Sequence, residues 1–388
     1  MEFRRNCLRF IVIEIKVNYK VCLEDKILKK IGILTFHRAY NFGAVLQTYA
    51  LEEAIRMISN NTEVCVIDYR NDRIENAFHS KSFKSKLKNV IKYMLYHDYY
   101  VETQKKAKLF DAFIEKYISV SPQYESVDEF KNEYDSIIVG SDQVWNLDMT
   151  FNDVNYFLPY DVGAKKLSYA ASFGKTKFSE EQKKVIHTKL LSFDSVLVRE
   201  SDGEKLATNL GVEAHKVVDP TLLISKEHWE SLCESCKVNK PYILIYIVAS
   251  EAYSISLAKK IAKKKGWDII YVDPPRYKYE DINKLKEAGP SQFLWLIQNA
   301  EIVITTSYHG LILSMNLNTP FLYELSHIQG NTNSRLEEVI ETYQLRRYAV
   351  DSDNMEQYTD LEYDWECINN CIMDNRQKSL TVLCNSIG

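Results

Sequence analysis

Glu301-Ile302-Val303-Ile304-Thr305-Thr306-Ser307-Tyr308-His309-Gly310, continuing into Leu311-Ile312-Leu313-Ser314-Met315-Asn316-Leu317, is the stretch on which the fold turns. Residues 301–305 form a short apolar run that stops at polar residues, the pattern of a strand buried on both faces of a parallel sheet. Residues 311–317 read as a helix, so the stretch is strand, tight turn, helix. A helix starting there has unpaired first amides and a positive dipole end, each attracting an anion by about 0.3–1 kcal/mol. Gly310 lets the backbone approach that anion closely. His309 adds a group able to carry charge or a proton near neutral pH. The competing reading is a capping Ser307 and a packed His309.

The same alternation runs outward in both directions. Towards the N-terminus, strands are expected at residues 31–36, 63–68, 136–139, 167–171, 195–198 and 216–218. A helix at 42–58 carries Val45, Leu46, Tyr49, Ala50 and Ile55 at helical spacing. Several strands stop at small or charged residues, as parallel strands do at the carboxyl edge where ligands bind. A polar stretch ending in Pro241 separates this block from a second one, with strands at 242–248, 268–272, 301–305 and 321–323. Helices are expected there at 253–265, from Pro290 onward, at 311–317 and at 334–343. The fold class is α/β: two doubly wound, Rossmann-like domains facing a cleft. Residues 30–236 form the N-terminal acceptor-side domain, with a helical insertion at about 81–118, and residues 241–388 the C-terminal donor-side domain. Residues 1–29 show no clear period and are expected to be a flexible extension or to follow a misassigned start.

Composition narrows the function. The chain has 388 residues, 46% hydrophobic and 26% charged, with a net charge of -4, which gives no footing for general binding of nucleic acid. Its 26 tyrosines suit a sugar-facing cleft, because the ring packs while the hydroxyl bonds. Biased codon usage explains them equally well. The eight cysteines are scattered, and the single Cys233-x-x-Cys236 pair is weak evidence for a metal or redox site, so no metal is expected. No signal peptide is read at the start, and the longest apolar run, 242–249, is far short of a membrane span. A cytoplasmic protein with reduced thiols is expected. The region 81–108 interleaves lysines with Tyr93, Tyr96, Tyr99 and Tyr100. It reads either as a solvated lysine face or as a peripheral contact with anionic lipid at the inner face of the membrane.

Read in order, the strand ends form a series. They are Gly32-Ile33-Leu34-Thr35-Phe36-His37 with Asn41-Phe42-Gly43-Ala44, then Val139-Gly140-Ser141-Asp142-Gln143-Val144-Trp145-Asn146, and Ser168-Tyr169-Ala170-Ala171-Ser172-Phe173-Gly174. Val198-Arg199-Glu200, Val218-Asp219-Pro220-Thr221 and Thr306-Ser307-Tyr308-His309-Gly310 complete it. This series resembles the polysaccharide pyruvyl transferase family over roughly residues 31–345. The resemblance implies a fold like the GT-B glycosyltransferases. It also implies transfer of a pyruvyl group from phosphoenolpyruvate to a glycan or lipid-linked oligosaccharide, leaving a cyclic ketal and free phosphate. Phosphoenolpyruvate is then a co-substrate and no cofactor is needed. The rival readings are a GT-B-type glycosyltransferase using a nucleotide sugar and a non-catalytic glycan-binding relative.

A donor with two anionic ends needs basic residues from more than one element. Arg199, at a strand end beside Glu200, can grip carboxylate or phosphate bidentately. Arg335, at another helix start, is the second candidate, with Ser307 and Gly310 completing the phosphate side. The chemistry needs an acid for the donor's methylene carbon and a base for the sugar hydroxyls. His309 is the candidate acid or phosphate stabiliser, and Asp142 and His37 are the acceptor-side candidates. Ser141, Trp145, Asn41 and Gly43 are the expected acceptor contacts. Asp219 reads mainly as a turn former before Pro220.

Overall fold

The computed structural model describes residues 28–388 apart from 60, 79–87, 160, 239, 249–250, 275–281, 327–332, 351–357 and 359–360, with the backbone alone at 76–78 and 88–100. The first 27 residues of the expected extension therefore lie outside the described residues, whereas Lys29 already belongs to the first strand.

Strands β1 (Lys29–Leu34), β2 (Thr62–Tyr69), β3 (Val120–Tyr124), β4 (Ser136–Val139) and β5 (Lys165–Ser168) form a parallel sheet in the order β3-β2-β1-β4-β5. Strands β6 (Leu197–Val198) and β7 (His215–Lys216) pair with each other. Single bridges at Leu167–Ser195 and Ala171–Val198 attach them beyond β5. A second parallel sheet contains β8 (Tyr242–Tyr246), β9 (Asp268–Val272), β10 (Asn283–Leu285), β11 (Ile302–Thr305) and β12 (Phe321–Tyr323), in the order β10-β9-β8-β11-β12. Each sheet reverses direction beside its first strand, so the chain is doubly wound twice, the GT-B-like architecture expected. The central strands are buried along their length, as a sheet covered on both faces requires. Strands β3 and β10 escape the pattern search because their residues, VSPQY and NKL, lie at sheet edges and are largely exposed.

Helix α1 (Phe42–Ile58) joins the two sheets and buries nearly its whole surface. Asn41 caps it, its Oδ1 accepting from the Ala44 amide at 3.2 Å. Phe42 stacks on Phe293 of the second unit at 4.2 Å between ring centroids and meets Tyr246 edge-on at 5.7 Å. After the short α2 (Asp72–Phe78), the expected insertion contributes the long α3 (Lys88–Tyr117). Helix α3 is tied to the second unit by Lys105–Glu287, Lys106–Asp273 and Glu102–Lys286 ion pairs. Those two lysines are therefore paired within the protein, whereas Lys108 is exposed, and the side chains of residues 81–100 lie outside the described residues. No helix among the described residues is long and apolar enough to cross a membrane.

The remaining helices are α4 (Glu180–Leu190), α5 (Ser201–Asn209), α6 (Lys226–Ser231), α7 (Ser254–Lys265), α8 (Pro290–Gln298), α9 (Tyr308–Asn316), α10 (Ser334–Thr342) and α11 (Trp365–Ile387). Sequence reading counts α11 with the second domain, yet it runs back to the first. Its Cys371 thiol reaches the Thr342 carbonyl of α10, Ser379 Oγ accepts from the Val218 amide, and Ser386 Oγ meets Ser195 Oγ at 2.9 Å. Arg376 donates to the Leu222 and Ile224 carbonyls at 2.6 and 2.9 Å. The side chain of Asn316, at the end of α9, donates to the Thr221 and Ile224 carbonyls. The segment after Asp219 is thus pinned between α9 and α11.

Cys233 and Cys236 are free thiols, pushed by burial up to about 12 and about 11, which makes them poor nucleophiles.

Glu52 on α1 is a buried carboxyl that pairs with Arg56 and accepts from the Ser119 amide. Burial pushes it up to about 7, with Arg56 and the Ser119 amide opposing. A carboxyl raised in the folded state holds its proton more tightly there than when unfolded. Its stabilising contribution is therefore complete at acid pH and is lost as the pH climbs from the ordinary carboxylate value to 7. We expect stability to fall by on the order of 3 kcal/mol between pH 4 and 8 from this group, and Glu52→Gln to flatten that slope. Denaturant midpoints across the range test this, and an unchanged slope in the variant contradicts it.

Candidate active site

The carboxyl edge of the first sheet and the start of α9 meet around one buried guanidinium. Arg199 follows β6, and its side chain is 1% exposed. Its Nε donates to Glu200 Oε1 at 2.9 Å and its Nη1 to Asp219 Oδ2 at 3.2 Å, with Asp142 Oδ1 3.9 Å from Nη1. The guanidinium carbon lies 5.1 Å from the Tyr308 ring centroid. Burial alone favours loss of the charge, but Glu200, Tyr308, Asp219 and Asp142 outweigh it and raise the pKa of Arg199. Its third nitrogen, Nη2, is buried without an acceptor among the described residues.

Asp219 connects this cation to His309. Its Oδ1 accepts from the Thr221 amide and hydroxyl at 3.0 and 2.8 Å, making the turn that the sequence suggests. Its Oδ2 faces both Arg199 and His309 Nε2, the latter at 3.5 Å, within ion-pair range but without hydrogen-bond geometry. Burial opposes ionisation of Asp219, but His309, Arg199 and the Thr221 amide hold the carboxyl well below the usual range. The carboxylate thus lies against both the guanidinium and the imidazole.

His309 also packs against the other unit. A Cβ built on Gly43 would lie 2.1 Å from His309 Nδ1, so only glycine lets the first turn of α1 touch the imidazole. The starts of α1 and α9 therefore converge on one ring, and neither carries an acidic residue in its first turn. Arg335, the second residue of α10, is half-buried, with its Nε lacking an acceptor among the described residues. Burial lowers its pKa and so does nearby Arg199, while Glu200, Asp142 and Tyr308 oppose them. Arg199 Nη2 and Arg335 Nε are thus buried donors, and His309 Nε2 a buried ring nitrogen, without hydrogen-bond partners among the described residues. Leaving such a group unpaired costs about 1–3 kcal/mol.

Asp142 faces this region from the first unit. Gly140 reaches φ +113°, where a Cβ would meet the Tyr169 carbonyl at 2.5 Å, and Asp142 follows in the left-handed region at φ 75°. Ser141 is spent on that turn: its Oγ accepts from the Asp142 amide at 2.7 Å and its carbonyl from Thr35 Oγ1 at 2.9 Å.

Several expected roles change. Trp145 is completely buried, its indole N–H on the Tyr156 carbonyl and its ring stacked on Phe157 at 5.4 Å, so no face remains for a sugar. His37 is 2% exposed, 3.2 Å from Asp68, which Arg70 also grips. Among the described contacts nothing joins His37 directly to Arg199 or His309, so it belongs to a separate charged cluster. Ser307 caps α9, its Oγ accepting from the Gly310 amide at 3.3 Å. Gly310 is required by close packing, since a Cβ there would meet Thr305 Oγ1 at 2.5 Å. Asn41 serves as the α1 cap. The sequence reading understated Asp219, whose second oxygen gives no local signal, and did not place Tyr308 under Arg199. No group of three or more possible metal ligands occurs among the described residues.

Gly43→Ala is expected to leave the fold intact and displace His309, weakening binding of inorganic phosphate at least tenfold by calorimetry. Unchanged affinity in a folded variant contradicts the convergence. Asp219→Asn removes the buried charge paired with Arg199 and is expected to cost about 3–5 kcal/mol in denaturant unfolding. A loss below 1 kcal/mol would show that the carboxylate is dispensable.

The polysaccharide pyruvyl transferase family model matches residues 41–323, well over half of the chain and including all of the site except Arg335. No curated protein matches the sequence. Among solved structures, the UDP-GlcNAc 2-epimerase of Methanocaldococcus jannaschii is similar at 12% identity and a TM-score of 0.46, over 92% of this chain and 100% of that one. A putative UDP-N-acetylglucosamine 2-epimerase from Listeria monocytogenes gives 10% identity and a TM-score of 0.48, over 92% and 91%. Anabaena Alr3699/HepE in complex with UDP-glucose gives 11% and 0.46, over 92% and 93%. At these values nothing about substrate passes to this chain.

Proposed function

From the premise that the chain belongs to the polysaccharide pyruvyl transferase family, we propose that it transfers a pyruvyl group from phosphoenolpyruvate to a sugar of a surface or exopolysaccharide precursor, forming a cyclic ketal. The observation that carries this reading is the set of buried nitrogens at the start of α9: Arg199 Nη2, Arg335 Nε and His309 Nε2. Phosphoenolpyruvate has a phosphate and a carboxylate close together, and two guanidiniums with a helix terminus match that demand.

In the proposed reaction a proton adds to the methylene carbon of the donor, leaving a cationic centre at the carbon bearing the phosphate. One sugar hydroxyl attacks that carbon and gives up its proton. The C–O bond to phosphate then breaks, and inorganic phosphate takes the electron pair. A second hydroxyl of the same sugar attacks and loses its proton, closing the ketal. The atoms balance as donor plus diol giving ketal plus phosphate. His309 supplies the proton or stabilises the departing phosphate, its orientation set by Asp219. Arg199 and Arg335 hold the anionic ends, and Asp142 is the base on the acceptor side.

The glycan acceptor enters from the first unit in this reading. A cytoplasmic location, where phosphoenolpyruvate is made, accords with it, and a lipid-linked acceptor would bring the protein to the inner membrane face. A nucleotide-sugar glycosyltransferase on the same fold is the alternative, and it requires a nucleoside diphosphate to bind.

His309→Ala and Arg199→Ala are each expected to reduce phosphate release from phosphoenolpyruvate, with acceptor present, by a hundredfold or more. Arg335→Ala is expected to raise KM more than it lowers kcat. Near-normal rates in folded His309 and Arg199 variants sink the assignment. Stabilisation of the wild-type chain by UDP but not by phosphoenolpyruvate transfers the case to the alternative.

A further inference from the structure

The second sheet presents two helix starts at its switch point. Its strand order reverses between β8 and β11, and α7 follows β8 while α9 follows β11. In doubly wound sheets the turn after the first strand is the usual seat of a pyrophosphate, held by the first amides of the following helix. The start of α9 lies near the guanidiniums of Arg199 and Arg335. The start of α7 is filled from within the chain.

Glu324 directly follows β12 and is 1% exposed. Its amide donates to the Thr305 carbonyl at 3.0 Å, which fixes the backbone from which the side chain reaches. One carboxylate oxygen accepts from the Ala252 and Tyr253 amides at 2.5 and 3.1 Å. The other accepts from the Ser254 amide at 2.8 Å and the Ser254 hydroxyl at 2.5 Å. The residue at the N-cap position of α7, Tyr253, provides no side-chain cap, so the carboxylate of Glu324 is the cap. Three consecutive amides and a hydroxyl closing on one buried anion form the cradle that a phosphate group uses. Here the anion is covalently part of the protein. A second anion brought to the same amides meets that charge, and it finds the donors already taken.

We propose that Glu324 is a specificity-determining residue that occupies the pyrophosphate cradle of the second unit and so restricts the donor to a compound with a single phosphate. Nucleoside diphosphates are excluded, because their second phosphate has only the cradle at α7 to enter. This inference rests on the reading of α9 as the seat of the donor phosphate, and the experiment separates the two.

Inorganic phosphate, pyrophosphate and UDP are titrated calorimetrically into the full chain, as wild type and as Glu324→Ala, Glu324→Gln and Arg199→Ala. Wild type is expected to take up one phosphate, and to bind pyrophosphate and UDP no more tightly than phosphate. Glu324→Ala is expected to take up a second phosphate, or to bind UDP at least tenfold more tightly than wild type does. Adding Arg199→Ala to that variant should remove the first phosphate and keep the second. Wild type binding UDP tenfold more tightly than phosphate overturns the proposal, and so does a folded Glu324→Ala chain that gains neither ligand. Should Glu324→Ala not fold, Glu324→Gln, which keeps the shape and drops the charge, is expected to show the gain in UDP affinity, and its absence overturns the proposal equally. Loss of the Arg199-dependent phosphate in wild type counts against the donor site alone, because the gain at α7 is read without it.

Discussion

The carboxylate of Asp219 is the interaction on which the site depends. It leaves the first unit just before a proline, yet it lies against the start of a helix in the second. One oxygen holds its own turn through Thr221, and the other faces Arg199 and His309 together. A buried anion is tolerable when its oxygens are engaged, and here one accepts from Thr221 and the other from Arg199 with the imidazole beside it. The consequence is that Arg199 and His309 are fixed relative to one another before any ligand arrives. Electrostatic stabilisation of a reaction is strongest from groups that need no reorganisation.

The two helix starts on the second sheet show how similar local geometry reaches opposite outcomes. Both follow a parallel strand at the same edge. At α9 the serine cap uses one amide and the surroundings supply guanidiniums and an imidazole. At α7 a glutamate from the end of β12, two strands from β8, uses three amides and a hydroxyl. The difference lies in which side chains reach each helix start from other strands.

Much of this was legible in the sequence, for physical reasons that differ by residue. The strand-turn-helix at residues 301–317 was visible because a run of buried β-branched residues and a small-residue turn are local signals. Arg199 was visible because a charged residue at the end of a buried strand has few structural uses. Trp145 misled because an aromatic beside a turn looks the same whether its ring faces a cleft or the core, and only Phe157 stacked on it decides. His37 misled likewise, since its partner Asp68 stands on another strand. Asp219 was half read: the Asp-Pro pair announces a turn, but the reach of its second oxygen is tertiary. Glu324 gave no signal at all, because the Ser254 it grips lies 70 residues upstream.

Helix α11 has a mechanical meaning beyond its packing. The chain passes between the units once after β7 and again along this helix, which touches α10 at Cys371 and the first unit from Ser379 to Ser386. The imidazole of His309 and the backbone of Gly43 belong to different units and touch, so the place of the ring is set by how the two units pack as well as by its own helix.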